Sequence, residues 1–252
     1  MGSVPRRLVV GVISFRFAGL DGVSLETTKF ARALQFHGHK VTFCAGQLDT
    51  AQFPGRELQM LHFEDDQAVA LRNRCFCAEG EHASASDDEQ LLASVREDAA
   101  LCATKLRKWI AECVLDVIVA QNVFAIPLHL ALSLALKEVV LETGIPCICH
   151  NHDYFWERKR FSRSKLPQFI GETFPPIGPL FVQLSINTGA QAELFRRTGA
   201  HSLVVPNVLD FRASMHATSK AASTTSIAEG GESSSDSFLR DARGELGIPD
   251  DA

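Results

Sequence analysis

The stretch RRLVVGVISF, residues 6–15, is apolar at consecutive positions rather than at alternate ones. A strand facing water on one side would alternate polar with apolar residues. A continuous run must be covered on both faces, as a strand inside a parallel sheet is. The same kind of run returns in HKVTFCAG (39–46), LDVIVAQN (115–122), IPCICHN (145–151), LFVQLSIN (180–187) and the shorter HSLVVPNV (201–208); ELQMLHF (57–63) reads as a further strand. Helical periodicity fills the gaps. Val23, Thr27, Phe30, Ala31 and Leu34 share one helix face, with Asp21 as N-cap and Gly38 as stop. A long helix over 88–114 turns Leu91, Val95, Leu106 and Ile110 inward, an apolar-rich helix spans 126–144 to Gly144, and one over 188–199 opens on a Thr188–Gln191 capping box and stops at Gly199. Residues 64–90 read as a solvated loop with a marginal helix. Strands alternating with helices predict an α/β fold: a Rossmann-like parallel sheet with helices on both faces.

Composition narrows the class. At 252 residues, 46% hydrophobic and a net charge of −5, the chain can bury one large core or two small ones. No basic face dominates, so nucleic acid is not an expected partner. No apolar stretch is long enough to cross a bilayer, and MGSVPRRLVVGV lacks a signal-peptide cleavage site. Seven cysteines, an odd number set mostly in apolar segments, read as free buried thiols in a reducing compartment, with a cytoplasmic location expected. A zinc set of Cys147, Cys149, His150 and His152 is disfavoured, because alternate ligands on one strand lack the turn of a C-x-x-C pair; no metal is expected.

The character of the chain changes near its end. Residues 1–211 read as one Rossmann-like domain, and 212–237, rich in Ser, Ala, Thr and Gly, as a disordered linker. FLRDARGELGIPDDA (238–252) resumes a helical pattern and reads as the start of a second domain.

In an open parallel sheet, ligands bind outside the carboxyl ends of the strands. The topology sends Phe15–Gly22, Gln121–Asn122, His150–Arg160 and Ser185–Thr188 to that edge. Gly19 and Gly22, flanking Asp21 in GLDGVS, would let a ligand approach the backbone at a helix start, or would simply serve a tight turn. His150 and His152 alternate at a strand end, so one faces the cleft and the other packing, with Asp153 able to orient an imidazole. Tyr154 and Trp156 offer a platform for a sugar ring or a cover for the sheet edge. The basic run Arg158, Lys159, Arg160, Arg163 and Lys165 suits an anion or is a solvated face. A dinucleotide oxidoreductase is disfavoured: G-x-G-x-x-G is absent, Tyr154 is the only tyrosine, and Arg158 stands where a Tyr-x-x-x-Lys pair needs lysine.

GLDGVSLETTKFARALQFHGHKVTFCAG, HNHDYFWERKRF and INTGAQAELFRRTGAHSLVVPNVLDF together resemble the amino-terminal half of family 4 retaining glycosyltransferases of GT-B fold, mannosylglucosylglycerate synthase-like bacterial sequences above all. The resemblance covers residues 7–211. It implies an acceptor-binding domain that faces a separate nucleotide-sugar-binding domain across a cleft, and hexosyl transfer without a protein nucleophile or tightly bound cofactor. Carried onto this chain, it puts His152, with His150 as runner-up, against the transferred sugar. Gly22 would lie near the donor diphosphate or an acceptor phosphate; from their strand-end placement, Gly19, Asp21, Asn122, Asp153, Tyr154, Trp156, Arg158 and Arg160 complete the expected acceptor or phosphate site. The expected ligands are a nucleotide sugar and a phosphorylated or carboxylated sugar-like acceptor. The donor domain is missing from this sequence, so the chain reads as a fragment of a longer enzyme; the competing reading is a catalytically inactive sugar- or anion-binding module.

Overall fold

The computed structural model describes residues 6–19, 21–76 and 85–208. The chain divides into two units at Asn207, and the first contains nearly everything described. The expected linker and the resumed helix at 238–252 lie outside the described residues.

Seven parallel strands form one sheet in the order β3-β2-β1-β4-β5-β6-β7. They are β1 (Val9–Ile13), β2 (Lys40–Ala45), β3 (Gly55–Glu57), β4 (Val117–Gln121), β5 (Cys147–Asn151), β6 (Phe181–Ser185) and β7 (Ser202–Val204). The helices are α1 (Gly22–Phe36), α2 (Asp66–Cys75), α3 (Ala85–Cys113), α4 (Leu130–Thr143), α5 (Pro167–Thr173) and α6 (Thr188–Thr198). Strand order runs outward in both directions from β1 and β4, so right-handed crossovers put α1 and α3–α5 on opposite faces. Two buried clusters follow that division. Val10, Val12, Val41, Phe43 and Val119 pack with Ala31 of α1, whereas Ile13, Cys44, Ile118, Cys147 and Cys149 pack against α3, α4 and α5.

The long α3 is held by one seam. Leu91, Val95, Ala99, Cys102, Leu106 and Trp109 are buried at steps of three and four residues, with Ile110 buried beside Trp109, and α4 lies against α3. Caps behave as the sequence predicts at three ends: Asp21 accepts from the Ser24 N–H, and Gly144 and Gly199 close α4 and α6 in the left-handed region.

Three expectations are corrected. The strand expected at 57–63 lies earlier and is only Gly55–Glu57, because Leu58 turns the chain into a 3-10 turn at Gln59–Leu61 that buries Leu61. Gly55 permits that strand: a Cβ there would come within 2.0 Å of the Phe43 carbonyl oxygen. α6 is capped by Asn187, whose Oδ1 accepts from Ala190 N–H at 2.8 Å, one residue before the expected Thr188. The stretch 64–90 holds a full helix, α2, capped by Asp65.

Gly11, at the centre of β1, makes room for the end of α3. A Cβ there would sit 2.4 Å from Leu115 Cδ1 and 2.7 Å from Trp109 Cη2. Gly11→Ala is expected to lower unfolding free energy by roughly 1–3 kcal/mol in urea denaturation, as overpacked cores do. Adding Leu115→Val should recover part of the loss, and a double-mutant cycle without coupling would show that the side chains are not what resists the methyl.

Candidate functional site at the carboxyl edge of the sheet

Five buried polar residues, Ser14, Gln121, Asn122, His150 and Asn151, gather where β1, β4 and β5 end. Ser14, just past β1, is buried and its hydroxyl donates to the Gln121 carbonyl at 2.9 Å, tying the ends of β1 and β4 together. Asn122 leaves β4 with φ at 61°, in the left-handed region that asparagine tolerates better than most residues. Its N–H donates to the His150 carbonyl at 2.9 Å, so the turn is anchored to β5. The Asn122 side chain then bridges two residues of the next loop: Oδ1 accepts from His152 N–H at 3.0 Å, and Nδ2 donates to Asp153 Oδ1 at 2.9 Å. Asp153 in turn pairs with Arg158.

Beside this bridge lies a cavity of about 190 Å³, lined by Arg16, Asp21, Phe63, Asn122, Ile126 and Arg158 among others. Arg16 reaches Asp21 at 3.5 Å and lies over the Phe63 ring, 5.6 Å from its centroid. Two guanidinium groups therefore border the cavity, each already beside one carboxylate.

The histidines form a second group. His150 and His152 lie ring against ring at 4.4 Å, and Phe30 of α1 covers His150 at 5.6 Å. His150 is buried, and neither ring nitrogen has a hydrogen-bond partner among the described residues. Burial, reinforced by the neighbouring His152, pushes its pKa down to about 3. Burial also lowers His152, against the opposing pull of Glu26, Asp153 and Asp21. His152 Nε2 lies 3.0 Å from Gln121 Oε1, and Nδ1 lies 3.4 Å from the amide of Asn207. Both imidazoles are neutral at pH 7.

The structure sorts the remaining sequence candidates. Asp21, Asn122 and Arg158 line the cavity, and Asp153 and His152 are linked to it through Asn122. Gly19 has φ at +81° and so serves the turn, whereas Gly22 has open space around its Cα. The N–H group of Ser24 that an anion would seek at the start of α1 is taken by the Asp21 carboxylate. Tyr154 is fully buried, its hydroxyl engaged with Ser185 and Asn151. Trp156 stacks on Tyr154 at 4.5 Å and carries the Arg197 guanidinium 5.1 Å from its ring centre. Both faces of the indole are thus used, an arrangement that matches the second of the two readings offered for these rings, a cover over the sheet edge. Arg160 lies over Phe161 rather than in the cavity. Sequence reasoning missed Arg16, Phe63 and the role of Gln121; Arg16 and Gln121 stand at strand ends where topology alone marks a candidate.

The disfavoured zinc set is separated by the strand itself. Cys147 and Cys149 face α3 and α4, whereas His150 faces α1. Among the described residues, Asp98, Cys102 and His129 bring three possible ligand atoms within 4.8 Å. His129 has neither nitrogen to spare: Nδ1 accepts from Leu132 N–H at 3.1 Å, which leaves Nε2 to donate to the Met60 carbonyl at 2.9 Å. Burial pushes the Cys102 thiol up to about 12. Cys102 and His129 pack as core residues. No helix among the described residues is long and apolar enough to cross a membrane.

No protein-family model matches the sequence. Mannosylglucosylglycerate synthase of Petrotoga mobilis is 28% identical over 205 residues, and that of Thermotoga maritima is 30% identical over 204. The chain is similar in sequence to these synthases. Each alignment covers 80% of this chain and 45% of the relative, so the chain spans about half the length of the curated relatives it matches. A solved structure of Arabidopsis thaliana UGT89C1 with UDP-L-rhamnose overlays with a TM-score of 0.47 at 14% identity, covering 89% of this chain and 56% of that one. An overlay that loose adds nothing to the relationship with the synthases.

The buried histidine has a measurable consequence. An ordinary histidine titrates at 6.5, and His150 in the fold at about 3. Between those values the unfolded chain binds a proton that the folded chain refuses. The stability held by neutral His150 is therefore complete above pH 6.5 and is lost as pH falls toward 3, at up to about 1.4 kcal/mol per pH unit. His150→Phe keeps the ring contact with Phe30 and removes that proton. Relative to wild type it should gain roughly 2–3 kcal/mol on going from pH 7.5 to 4.5. Denaturant titrations at the two pH values check this, and a pH-independent difference would mean that His150 is solvated.

Proposed function

We propose that this domain binds the acceptor in a retaining, nucleotide-sugar-dependent hexosyl transfer, as the amino-terminal half of a GT-B enzyme. The cavity bordered by Arg16 and Arg158, on a chain related to the mannosylglucosylglycerate synthases along most of its described length, carries the reading. The product those relatives are named for has a single carboxylate, on its glycerate end. A carboxylate between two guanidiniums gains charge-assisted hydrogen bonds, and the planar fork of arginine suits it better than lysine would. Asp21 and Asp153 keep both guanidiniums in place while leaving further N–H groups to donate. In this reading the second N–H of Asn122 Nδ2, whose first goes to Asp153, holds a sugar hydroxyl.

In this reading the donor is a nucleotide sugar, and His152 is the residue of this domain that meets the transferred hexosyl group. Two neutral imidazoles add no charge beside the departing diphosphate. Their contribution is orientation and exclusion of water, and no nucleophile is required of this domain.

Calorimetric titration of the 252-residue chain with glucosylglycerate and with glucosylglycerol, which lacks the carboxylate, tests the reading. Glucosylglycerate should bind about tenfold more tightly, a difference that corresponds to about 1.4 kcal/mol. Arg16→Gln and Arg158→Gln should each erase most of that preference. Equal affinity for the two compounds, or binding unaffected by both substitutions, would remove the carboxylate from the site.

A further inference from the structure

We propose that Gln121 is a positioning residue that fixes His152 as its Nε2–H tautomer, leaving Nδ1 as a bare hydrogen-bond acceptor on the open side of the site. The geometry rests on two contacts of one ring. Gln121 Oε1 lies 3.0 Å from His152 Nε2, and a carbonyl oxygen only accepts, so Nε2 must carry the hydrogen. A neutral imidazole has one N–H, so Nδ1 is left with its lone pair. On that side the Asn207 amide, a donor on an exposed residue, stands 3.4 Å away.

The ring is held from a rigid place. Gln121 is the last residue of β4, fully buried and paired in register with His150. Its chain neighbour Asn122 holds the backbone N–H of His152 at 3.0 Å. Consecutive residues of one strand end thus grip the histidine at ring and at backbone, leaving little freedom for ring rotation.

A purely structural glutamine would be a poor choice here. Its Nε2 is buried without a partner, and such a group costs on the order of 1–3 kcal/mol. Leucine or methionine would fill the space without that cost. What only the amide supplies is an acceptor at His152 Nε2. The consequence for chemistry is specific: a ligand group that displaces the exposed Asn207 amide must itself donate to Nδ1, as a sugar hydroxyl can and a carbonyl or phosphate oxygen cannot. The importance of that selectivity rests on the ligand-binding reading of this edge, but the tautomer itself does not.

The ring nitrogens of His152 can be read directly by long-range proton–nitrogen NMR on the ¹⁵N-labelled full chain without ligand, the signals assigned by their loss in His152→Gln. Wild type should show Nε2 protonated and Nδ1 bare across the neutral range. Gln121→Met, which keeps the volume, should give a mixture of the two tautomers. Gln121→Glu should retain Nε2–H and raise the His152 pKa by at least one unit, a tenfold change in proton affinity. The charges already facing that ring, Asp21 and Glu26 from α1 and Asp153 from its own loop, are unchanged in the variant, as is neutral His150 beneath it. Nδ1–H in wild type, or a Gln121→Met spectrum identical to wild type, would overturn the proposal. Failure of glucosylglycerate to bind would leave it standing, since no ligand is present in the measurement.

Discussion

Burial of the sheet on both faces sets every other feature of this domain. Strands β1, β4 and β5 have helices above and below them, so a polar side chain has no place along their length. Uncompensated polar groups in such a position would each cost kilocalories. Polar chemistry is therefore expelled to the strand ends. At the carboxyl edge, Ser14, Gln121, Asn122, His150 and Asn151 are all nearly inaccessible to solvent, yet they lie within one strand-end layer. The same constraint explains Gly11: with Trp109 and Leu115 packed directly on β1, even a methyl group is excess.

The polar layer is only partly satisfied. Asn122, Asp153 and Arg158 form a continuous chain of partners, whereas His150, the Nε2 of Gln121 and the Oδ1 of Asn151 have none. Folding alone does not favour that arrangement, because an apolar replacement would avoid the penalty. Buried polar atoms without a partner occur elsewhere among the described residues, at Trp109 Nε1 and Thr173 Oγ1 for example, but four of them gather at the mouth of the sheet, a concentration that the proposed ligand site accounts for. The cap at α1 shows the contrast. Asp21 satisfies Ser24 at both its N–H and its hydroxyl, and it does so at the rim of the cavity.

The parts of this picture legible in the sequence are those governed by local chemistry. A run such as VVGVI is a buried strand wherever it occurs, and Gly144 and Gly199 end helices because glycine adopts a positive φ without cost. The third strand was hidden, since ELQMLHF is apolar enough for a strand and its fate depends on how closely Gly55 approaches Phe43. Asn187 and Thr188 are adjacent residues of comparable capping strength, and only the direction of chain entry selects between them. In the site, the run HNHDYFWERKR announced polar chemistry but not its division. Arg158 lines the cavity and His152 and Asp153 are tied to it through Asn122, while Tyr154 and Trp156 close over the sheet with Arg197, which is forty-odd positions away in sequence. Contacts across that separation leave no trace in local periodicity.

The electrostatics of the cavity favour one class of anion over another. Arg16 and Arg158 contribute two positive charges, and Asp21 and Asp153 cancel them in formal count. The two histidines stay neutral near pH 7 and add nothing. A site of net zero charge with spare guanidinium N–H groups can seat one carboxylate through directed hydrogen bonds. It has no surplus field to repay the desolvation of a dianion such as a phosphate monoester. Under the proposed acceptor-site reading, the carboxylated acceptor is therefore the better match of the two classes, phosphorylated and carboxylated, that the basic run from Arg158 to Lys165 would tolerate by composition. In that reading, the carboxylates that hold the arginines in place also set the charge of the ligand.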